Sequence, residues 1–302
     1  MDVSIILVNY NTADLLLACI NSILGKTEHL IYEIIVVDNA SSDSSVELVR
    51  SKFPLVKVIA NEENVGFGIA NNIGVQHAQG KYVWFLNSDT LLISNAAKIL
   101  YDAIEVYSSA VIAGGNLYDI NMKPATSFSQ IIPSLWAEVD YFFFNIFSQL
   151  KYRRNLNFNY SDQIIEVDGF ISGADLMIEK AVFEEVGGFD KDFFMYYEET
   201  ELTYRIRKYG YKIISVPEAK IIHLEGASET KKENSLRRSF ESKFKYINKT
   251  GLTSSINLLR ITFILTTYQR YILFKLIGKS GKADFWSLLR KVEQEVYKGL
   301  TK

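Results

Sequence analysis

Tyr82-Val83-Trp84-Phe85-Leu86-Asn87-Ser88-Asp89 is an unbroken apolar run that stops on an amide, a hydroxyl and a carboxylate. An apolar run without alternation, rich in aromatic and β-branched residues, reads as a strand buried on both faces. Working outward, Val3 to Val8, Glu33 to Val37 and Val56 to Ala60 read the same way. Helical patterns lie between them. One covers Ala13 to Leu24. A second opens at Ser44-Ser45-Val46-Glu47, which has capping-box spacing, and runs to about Lys52. A third covers residues 66–79 despite Gly66, Gly68 and Gly74. Strand and helix alternation at this spacing predicts βαβ units and a mainly parallel central sheet flanked by helices, an α/β fold. Such sheets bind ligands beyond the carboxyl ends of their strands. Asp38 and Asp89 both follow such ends directly.

The second half is less regular. Residues 128–160 are rich in aromatics, among them Trp136, Tyr141, Phe142, Phe143, Phe144 and Phe147. They read either as a flexible or acceptor-facing insertion or as an ordinary packing helix. A strand follows near Ala174 to Ile178, then a helix from Ala181 and a turn at Gly187-Gly188. A second helix starts near Glu198, with Leu202, Ile206 and Tyr209 on one side. Lys212 to Val216 and Lys220 to Leu224 read as two strands, and the last seventy residues read as helical.

The chain has 302 residues, 48% of them apolar and 23% charged, within the range of globular proteins. Its length suits one large α/β domain with an appended segment, or two modest domains. The single cysteine, Cys19, excludes an internal disulfide framework and sits at helical spacing with Leu16, Ile20 and Ile23 as a small core residue. Met1 leads straight into the first strand without a secretory signal, so the expected location is cytoplasmic. The net charge of −2 hides an asymmetry: 16 Lys and Arg against 5 Asp and Glu from residue 231 onward, and 17 against 30 before it. A basic tail on an acidic body points to an anionic surface as partner. That surface could be membrane or nucleic acid; no recognised nucleic-acid-binding fold is present, and the inner face of the cell membrane is one location the tail allows.

Several residues suit chemistry on a phosphate-bearing substrate. A carboxylate at a strand end, such as Asp89, can hold Mg²⁺ or Mn²⁺, whose shell substrate phosphates complete. The same residue type also forms turns and caps. Asp38-Asn39 offers acceptors and donors to a ribose or base edge, or simply stabilises a loop. Asn64-Val65-Gly66-Phe67-Gly68 precedes a helix, where glycines let backbone approach an anion. It lacks the Gly-Lys-Ser/Thr of a Walker loop. Glu198, Glu199 and Glu201 cluster at a helix start, where one could deprotonate a hydroxyl or all could complement the helix dipole. His223, at a strand end, could complete a metal shell or be structural.

Taken in order, these stretches resemble the family 2 glycosyltransferases, near their rhamnosyltransferase-like branch. The matching residues are Val8-Asn9-Tyr10-Asn11, Val36-Val37-Asp38-Asn39-Ala40-Ser41, Asn64 to Asn72, Leu86-Asn87-Ser88-Asp89-Thr90, Ser172-Gly173-Ala174, Glu185 to Asp190, Phe193 to Leu202 and Val216-Pro217 through His223. The match spans roughly residues 3–228. The resemblance implies a GT-A fold, inversion by direct displacement, and Mn²⁺ or Mg²⁺ held by Asp89 and His223. It implies that Asn9, Asn11, Asp38, Asn64, Gly66, Asn71, Ser88 and Asp89 border the nucleotide sugar. The catalytic base, usually Asp in a Glu-Asp pair, would be Glu199 of Glu198-Glu199, with Glu201 as fallback. Asn87 stands where many relatives carry the first Asp of the DXD motif. The donor would be a UDP- or dTDP-sugar, and the acceptor a saccharide or lipid-linked saccharide in polysaccharide, capsule, O-antigen or glycolipid assembly.

These readings predict a catalytic domain over 1–230, with a nucleotide-sugar half at about 1–115 and an acceptor half at about 116–230. A basic helical extension follows over 231–302. Within it, residues 253–279 are apolar and aromatic with interspersed Arg260, Arg270 and Lys275, which argues against a transmembrane span. They suit either peripheral membrane contact or helix packing, on the catalytic domain or across a homodimer. The alternative to an enzyme is a non-catalytic nucleotide-sugar-binding scaffold on the same fold. A nucleotidyltransferase should carry a Gly- and Arg-rich loop near its N-terminus, and Asn9-Tyr10-Asn11-Thr12 is not one.

Overall fold

The computed structural model describes residues 1–224, 232–253 and 255–300. The chain divides into two compact units, interleaved in sequence. The first comprises Met1–Gln130, Arg154–Phe194 and the described residues from Glu198 onward to 224. The second comprises Ile131–Arg153, Met195–Tyr197 and the described residues of 232–300.

The first unit opens with β1 (Val3–Asn9), α1 (Ala13–Lys26), β2 (Tyr32–Asp38), α2 (Ser45–Lys52), β3 (Lys57–Ala60), α3 (Phe67–Gln76) and β4 (Tyr82–Asn87). β3, β2, β1 and β4 lie side by side and parallel, so the predicted βαβ units are present. Alternate residues of these strands feed two cores. Ile5, Leu7, Val36, Trp84 and Leu86 join α1 on one face. Ile6, Ile35, Val37, Val83 and Phe85 join α3 on the other. Period-two alternation thus sends apolar side chains to both faces, which is why the strands read as solid apolar runs. Gly74 explains one of the unusual α3 glycines: a Cβ there would stand 2.6 Å from Ile6 Cγ2.

The sheet continues through β5 (Thr90–Leu92), α4 (Ala96–Val106) and β6 (Ala110–Tyr118). A two-stranded ribbon pairs β7 (Phe128–Ser129) with a later strand. In the second unit α5 (Leu135–Phe142) and α6 (Ile146–Tyr152) follow. The chain returns to the first unit with β8 (Ile165–Glu166), β9 (Phe170–Ile171, the partner of β7), β10 (Asp175–Glu179), α7 (Lys180–Glu185), α8 (Glu198–Lys208) and β11 (Lys212–His223). The full order is β3-β2-β1-β4-β10-β6-β11-β5, with β8 on β11. β10 inserts antiparallel between β4 and β6, while β6 and β11 are parallel. The sheet is therefore mixed, with its parallel half where the sequence reading put it.

Two local expectations are corrected. Lys212–Val216 and Lys220–Leu224 are not separate strands. β11 runs through Pro217 with a register shift between Val216 and Lys220, as a bulge allows. Ser44 makes no side-chain cap at α2. Asp43 Oδ1 accepts from the Ser45 amide at 3.1 Å instead.

The second unit is helical, adding α9 (Lys232–Thr250), α10 (Ile256–Leu276) and α11 (Ser280–Leu300) to α5 and α6. Phe240, Phe244, Phe263, Val292 and Val296 form its core. Lys243 pairs with Glu138 while lying over the Phe263 ring. Arg260 donates to Glu293 at 2.6 Å and stacks on Tyr297. α5 packs along α10, so for this part of 128–160 the packing alternative holds. No helix among the described residues is long and apolar enough to cross a membrane.

Candidate active site

The carboxyl ends of β1, β2 and β4 meet in one polar corner. Asp38, 2% exposed, ends β2. Its carboxylate accepts from Asn9 Nδ2 at 2.7 Å, from Ser41 Oγ at 2.6 Å and from the Ser41 amide at 2.8 Å. Asn9 Oδ1 accepts from Thr12 Oγ1, which stands 3.3 Å from Ser88 Oγ. A hydrogen-bonded chain therefore connects the ends of three strands. Asn11, at φ 55°, turns its Oδ1 to the Ser42 amide at 2.7 Å, bracing the loop after Asp38.

The start of α3 closes one side. Gly66 takes φ +86°, and a Cβ there would lie 2.4 Å from the Phe194 carbonyl oxygen. Only glycine fits both demands. Asn64 Oδ1 accepts from the Gly66 amide at 3.0 Å, and Asn39 Nδ2 donates to the Gly66 carbonyl at 3.2 Å. Asn71 is 1% exposed and donates back to the Phe67 carbonyl within its own helix at 3.1 Å. Asn72 was not singled out from sequence. It bonds both the amide and the carbonyl of Phe189, and so fixes the turn before α8 to α3.

Asp89 and His223, 134 residues apart in sequence, are brought together by register. β5 pairs antiparallel with β11 so that Thr90 faces His223. The Leu224 amide then bonds the Asp89 carbonyl at 2.9 Å, and Asp89 Oδ1 stands 3.3 Å from His223 Nε2. Asn87 Nδ2 is 3.4 Å from the same nitrogen. Both side chains are nearly buried, at 12% for His223 and 10% for Asp89. One carboxylate oxygen and one imidazole nitrogen at this separation fit a hard divalent cation that takes its remaining ligands from a substrate diphosphate. No group of three or more His, Cys, Asp or Glu side chains with metal-binding geometry occurs among the described residues.

The loop Ser172-Gly173-Ala174 links this corner to the acidic helix. The Asn87 amide donates to the Ala174 carbonyl at 3.1 Å. A Cβ on Gly173 would stand 3.6 Å from Glu199 Cγ, so Glu199 lies directly over the loop. The three acids of α8 have different surroundings. Glu201 makes a two-point pair with Arg205, both bonds at 2.7 Å, and Arg205 also donates to the Val186 and Gly188 carbonyls. Glu198 is 5% exposed and its Oε2 has no hydrogen-bond partner among the described residues. Burial pushes its carboxyl well above the ordinary glutamate range, and the neighbouring Glu199 charge adds to this. Burial also raises Glu199, against which its own amide and Thr200 act. A half-buried carboxyl with an elevated proton affinity suits proton abstraction near neutral pH.

Asp175 escaped the sequence reading. It starts β10, accepts from Trp84 Nε1 at 2.6 Å and from the Gly115 amide at 2.5 Å, and so ties three strands together. Burial pushes its carboxyl up to about 6, partly offset by these two bonds. The available signal was a carboxylate beside Leu176-Met177-Ile178.

A family model described as glycosyl transferase family 2 matches residues 4–187. Glycosyltransferase GlyA of Streptococcus pneumoniae is 31% identical over 49% of this chain, which spans 21% of that protein. The N-acetylglucosaminyl-diphospho-decaprenol L-rhamnosyltransferase of Mycobacterium tuberculosis is 25% identical over 63% of this chain and 66% of its own. Among solved structures, a mannosyltransferase from Pyrobaculum calidifontis in complex with GDP-Man and Mn²⁺ superposes with a TM-score of 0.60 at 15% identity. That superposition covers 99% of this chain and 86% of the other, and it gives the fold as GT-A.

Proposed function

Because the chain belongs to glycosyl transferase family 2, we propose that it transfers a sugar from a nucleotide-diphosphate donor to an acceptor hydroxyl with inversion. The observation that carries this reading is the single corner in which Asp89 and His223 adjoin the loop beneath Glu199. In this reading Asp38, Asn9, Asn11, Asn64, Gly66 and Ser88 border the nucleotide. Asn71 acts indirectly, by holding the first turn of α3. Donor binding falls to about residues 1–115 and acceptor binding to about residues 116–230. The described residues of the basic extension over 231–302 belong to the helical unit together with α5 and α6.

Asp89 and His223 would hold Mn²⁺ or Mg²⁺, which when bound neutralises charge on the departing diphosphate. The chain's own residues supply the rest. Glu199 takes the proton from the acceptor oxygen as that oxygen attacks the anomeric carbon. Its raised proton affinity makes it a stronger base than an exposed glutamate. Burial raises the proton affinity of Glu198, which disfavours a second negative charge beside it. Glu201 is occupied by Arg205 and holds the helix in place, which favours Glu199 over it as base. A UDP- or dTDP-sugar fits the family resemblance best, with a saccharide or lipid-linked saccharide as acceptor.

Thermal unfolding with UDP, dTDP or GDP, each with and without Mn²⁺, tests the binding half of this reading. Ligand at about 100 times its Kd should add about 2.7 kcal/mol of stability, visible as a rise in Tm. Nucleotide and Mn²⁺ together should exceed either alone, and Asp89→Ala should remove the excess. No rise with any nucleotide would sink the proposal.

A further inference from the structure

We propose that α9 holds Met195-Tyr196-Tyr197 in a strained turn and thereby positions the acidic start of α8. The proposal rests on the reading of Glu199 as the base, and it gives the helical unit a part in turnover.

The chain leaves the first unit after Phe194, passes through Met195–Tyr197 in the helical unit and re-enters the first at Glu198. Both flanking residues abut the start of α3. The Phe194 carbonyl accepts from the Phe67 amide at 2.9 Å. Glu198 Cβ lies 3.6 Å from where a Cβ on Gly68 would stand. An extended link from Phe194 to Glu198 would span about 13 Å, which does not suit anchors on successive residues of one helical turn. Tyr196 and Tyr197 resolve this by taking φ 69° and 68°. Successive left-handed residues turn the chain back sharply. With aromatic side chains that conformation is costly, and it persists only where the surroundings enforce it.

Within the helical unit, α9 supplies that enforcement. Ser242 Oγ donates to the Met195 carbonyl at 2.8 Å. The Tyr196 hydroxyl and Ser235 Oγ are hydrogen-bonded at 2.7 Å. The rings of Tyr197 and Tyr246 lie 5.6 Å apart, and Tyr246 is fully buried. Ser235, Ser242 and Tyr246 stand at i, i+7 and i+11 of α9, which is one stripe of a 3.6-residue helix. A single helix face thus fixes a backbone carbonyl, a hydroxyl and a ring on successive residues directly before the acid pair. Released, the segment would relax toward right-handed or extended backbone, and Glu198 and Glu199 would shift from their places at Gly68 and Gly173. Moving a base by about 1 Å can slow turnover by as much as about 10²-fold. Ser235, Ser242 and Tyr246 are therefore positioning residues, acting on the base through the backbone of 195–197.

The test is transfer kinetics and amide hydrogen exchange on the full chain. Ser235→Ala, Tyr196→Phe and Ser242→Ala should each lower kcat about tenfold while donor KM stays within about twofold of wild type. Ser235→Ala combined with Tyr196→Phe should be no slower than either alone, because both remove one shared bond. Ser235→Thr keeps the hydroxyl and should turn over as wild type does. In Ser235→Ala and Ser242→Ala the amides of 195–199 should exchange faster, while those of β1 and β4 keep wild-type rates and so show that the variants are folded. Unchanged kcat in both serine variants would overturn the proposal, as would unchanged exchange at 195–199. A loss in Tyr196→Phe that Ser235→Ala does not reproduce would place the tyrosine hydroxyl on the substrate and also overturn it. Wild type that turns over no donor, with exchange at 195–199 still quickened by the serine substitutions, would sink the reading of Glu199 as base while supporting the hold by α9.

Discussion

At the scale of single residues, the acids of α8 show how sequence position fails to separate roles that environment separates. Glu198, Glu199 and Glu201 are equivalent as a helix-start cluster. Only packing gives Glu201 to Arg205 and Glu199 to the loop at Gly173. Glu199→Gln should therefore cut turnover by about 10²–10⁴-fold while leaving the melting temperature near wild type. Glu201→Gln should do the reverse, costing about 1–3 kcal/mol of stability because one Arg205 bond loses its acceptor. Paired kinetics and thermal melts of the two variants separate these outcomes. The acid limb of kcat/KM should lie above the ordinary glutamate range, since burial raises Glu199. Glu198 has a consequence for stability. Its native proton affinity exceeds that of the unfolded chain, so its contribution is present while protonated and is lost as pH rises through the raised native value. Glu198→Gln cannot titrate and should flatten the decline in urea midpoints as pH rises above the ordinary glutamate range. An unchanged slope would place the titration elsewhere.

At the scale of elements, the parallel strands were legible because burial on both faces writes itself as unbroken apolar sequence. β1, β2, β3 and β4 all lie where such runs predicted them. Asp38 and Asp89 were legible for the same reason, as polar stops at strand ends. What was not legible depends on register. Nothing local in His223 says that it faces Thr90 across an antiparallel pair, or that β10 enters between β4 and β6. Lys212–Val216 and Lys220–Leu224 read as two strands, yet one strand continues through a bulge that a single sequence does not announce. The turn into α3 is a sharper case. Gly66 was noted as a phosphate approach, but its φ and its contact with the Phe194 carbonyl belong to the folded chain alone. Gly66→Ala should destabilise by more than about 1 kcal/mol, read as a lowered urea midpoint. It should also weaken nucleotide binding, because Asn64 and Asn39 both bond Gly66. A variant as stable as wild type would contradict the close approach.

At the scale of the whole molecule, the charge asymmetry was plain in the sequence, while the grouping of residues was not. The segment 131–153 belongs with the C-terminal helices, a partnership of residues more than a hundred positions apart that no local pattern encodes. The aromatic content of 128–160 was visible, but which rings pack and which stay exposed is decided by α10. The central claim is that the corner of Asp89, His223 and Glu199 performs metal-dependent sugar transfer. Release of nucleoside diphosphate from a panel of UDP-, dTDP- and GDP-sugars, with and without Mn²⁺, tests it most directly, on wild type and on Asp89→Ala. The account predicts Mn²⁺-dependent release from at least one donor, reduced about 10²-fold or more in the variant. Equal release by wild type and Asp89→Ala, or none from any donor by a folded protein that binds nucleotide, would contradict it.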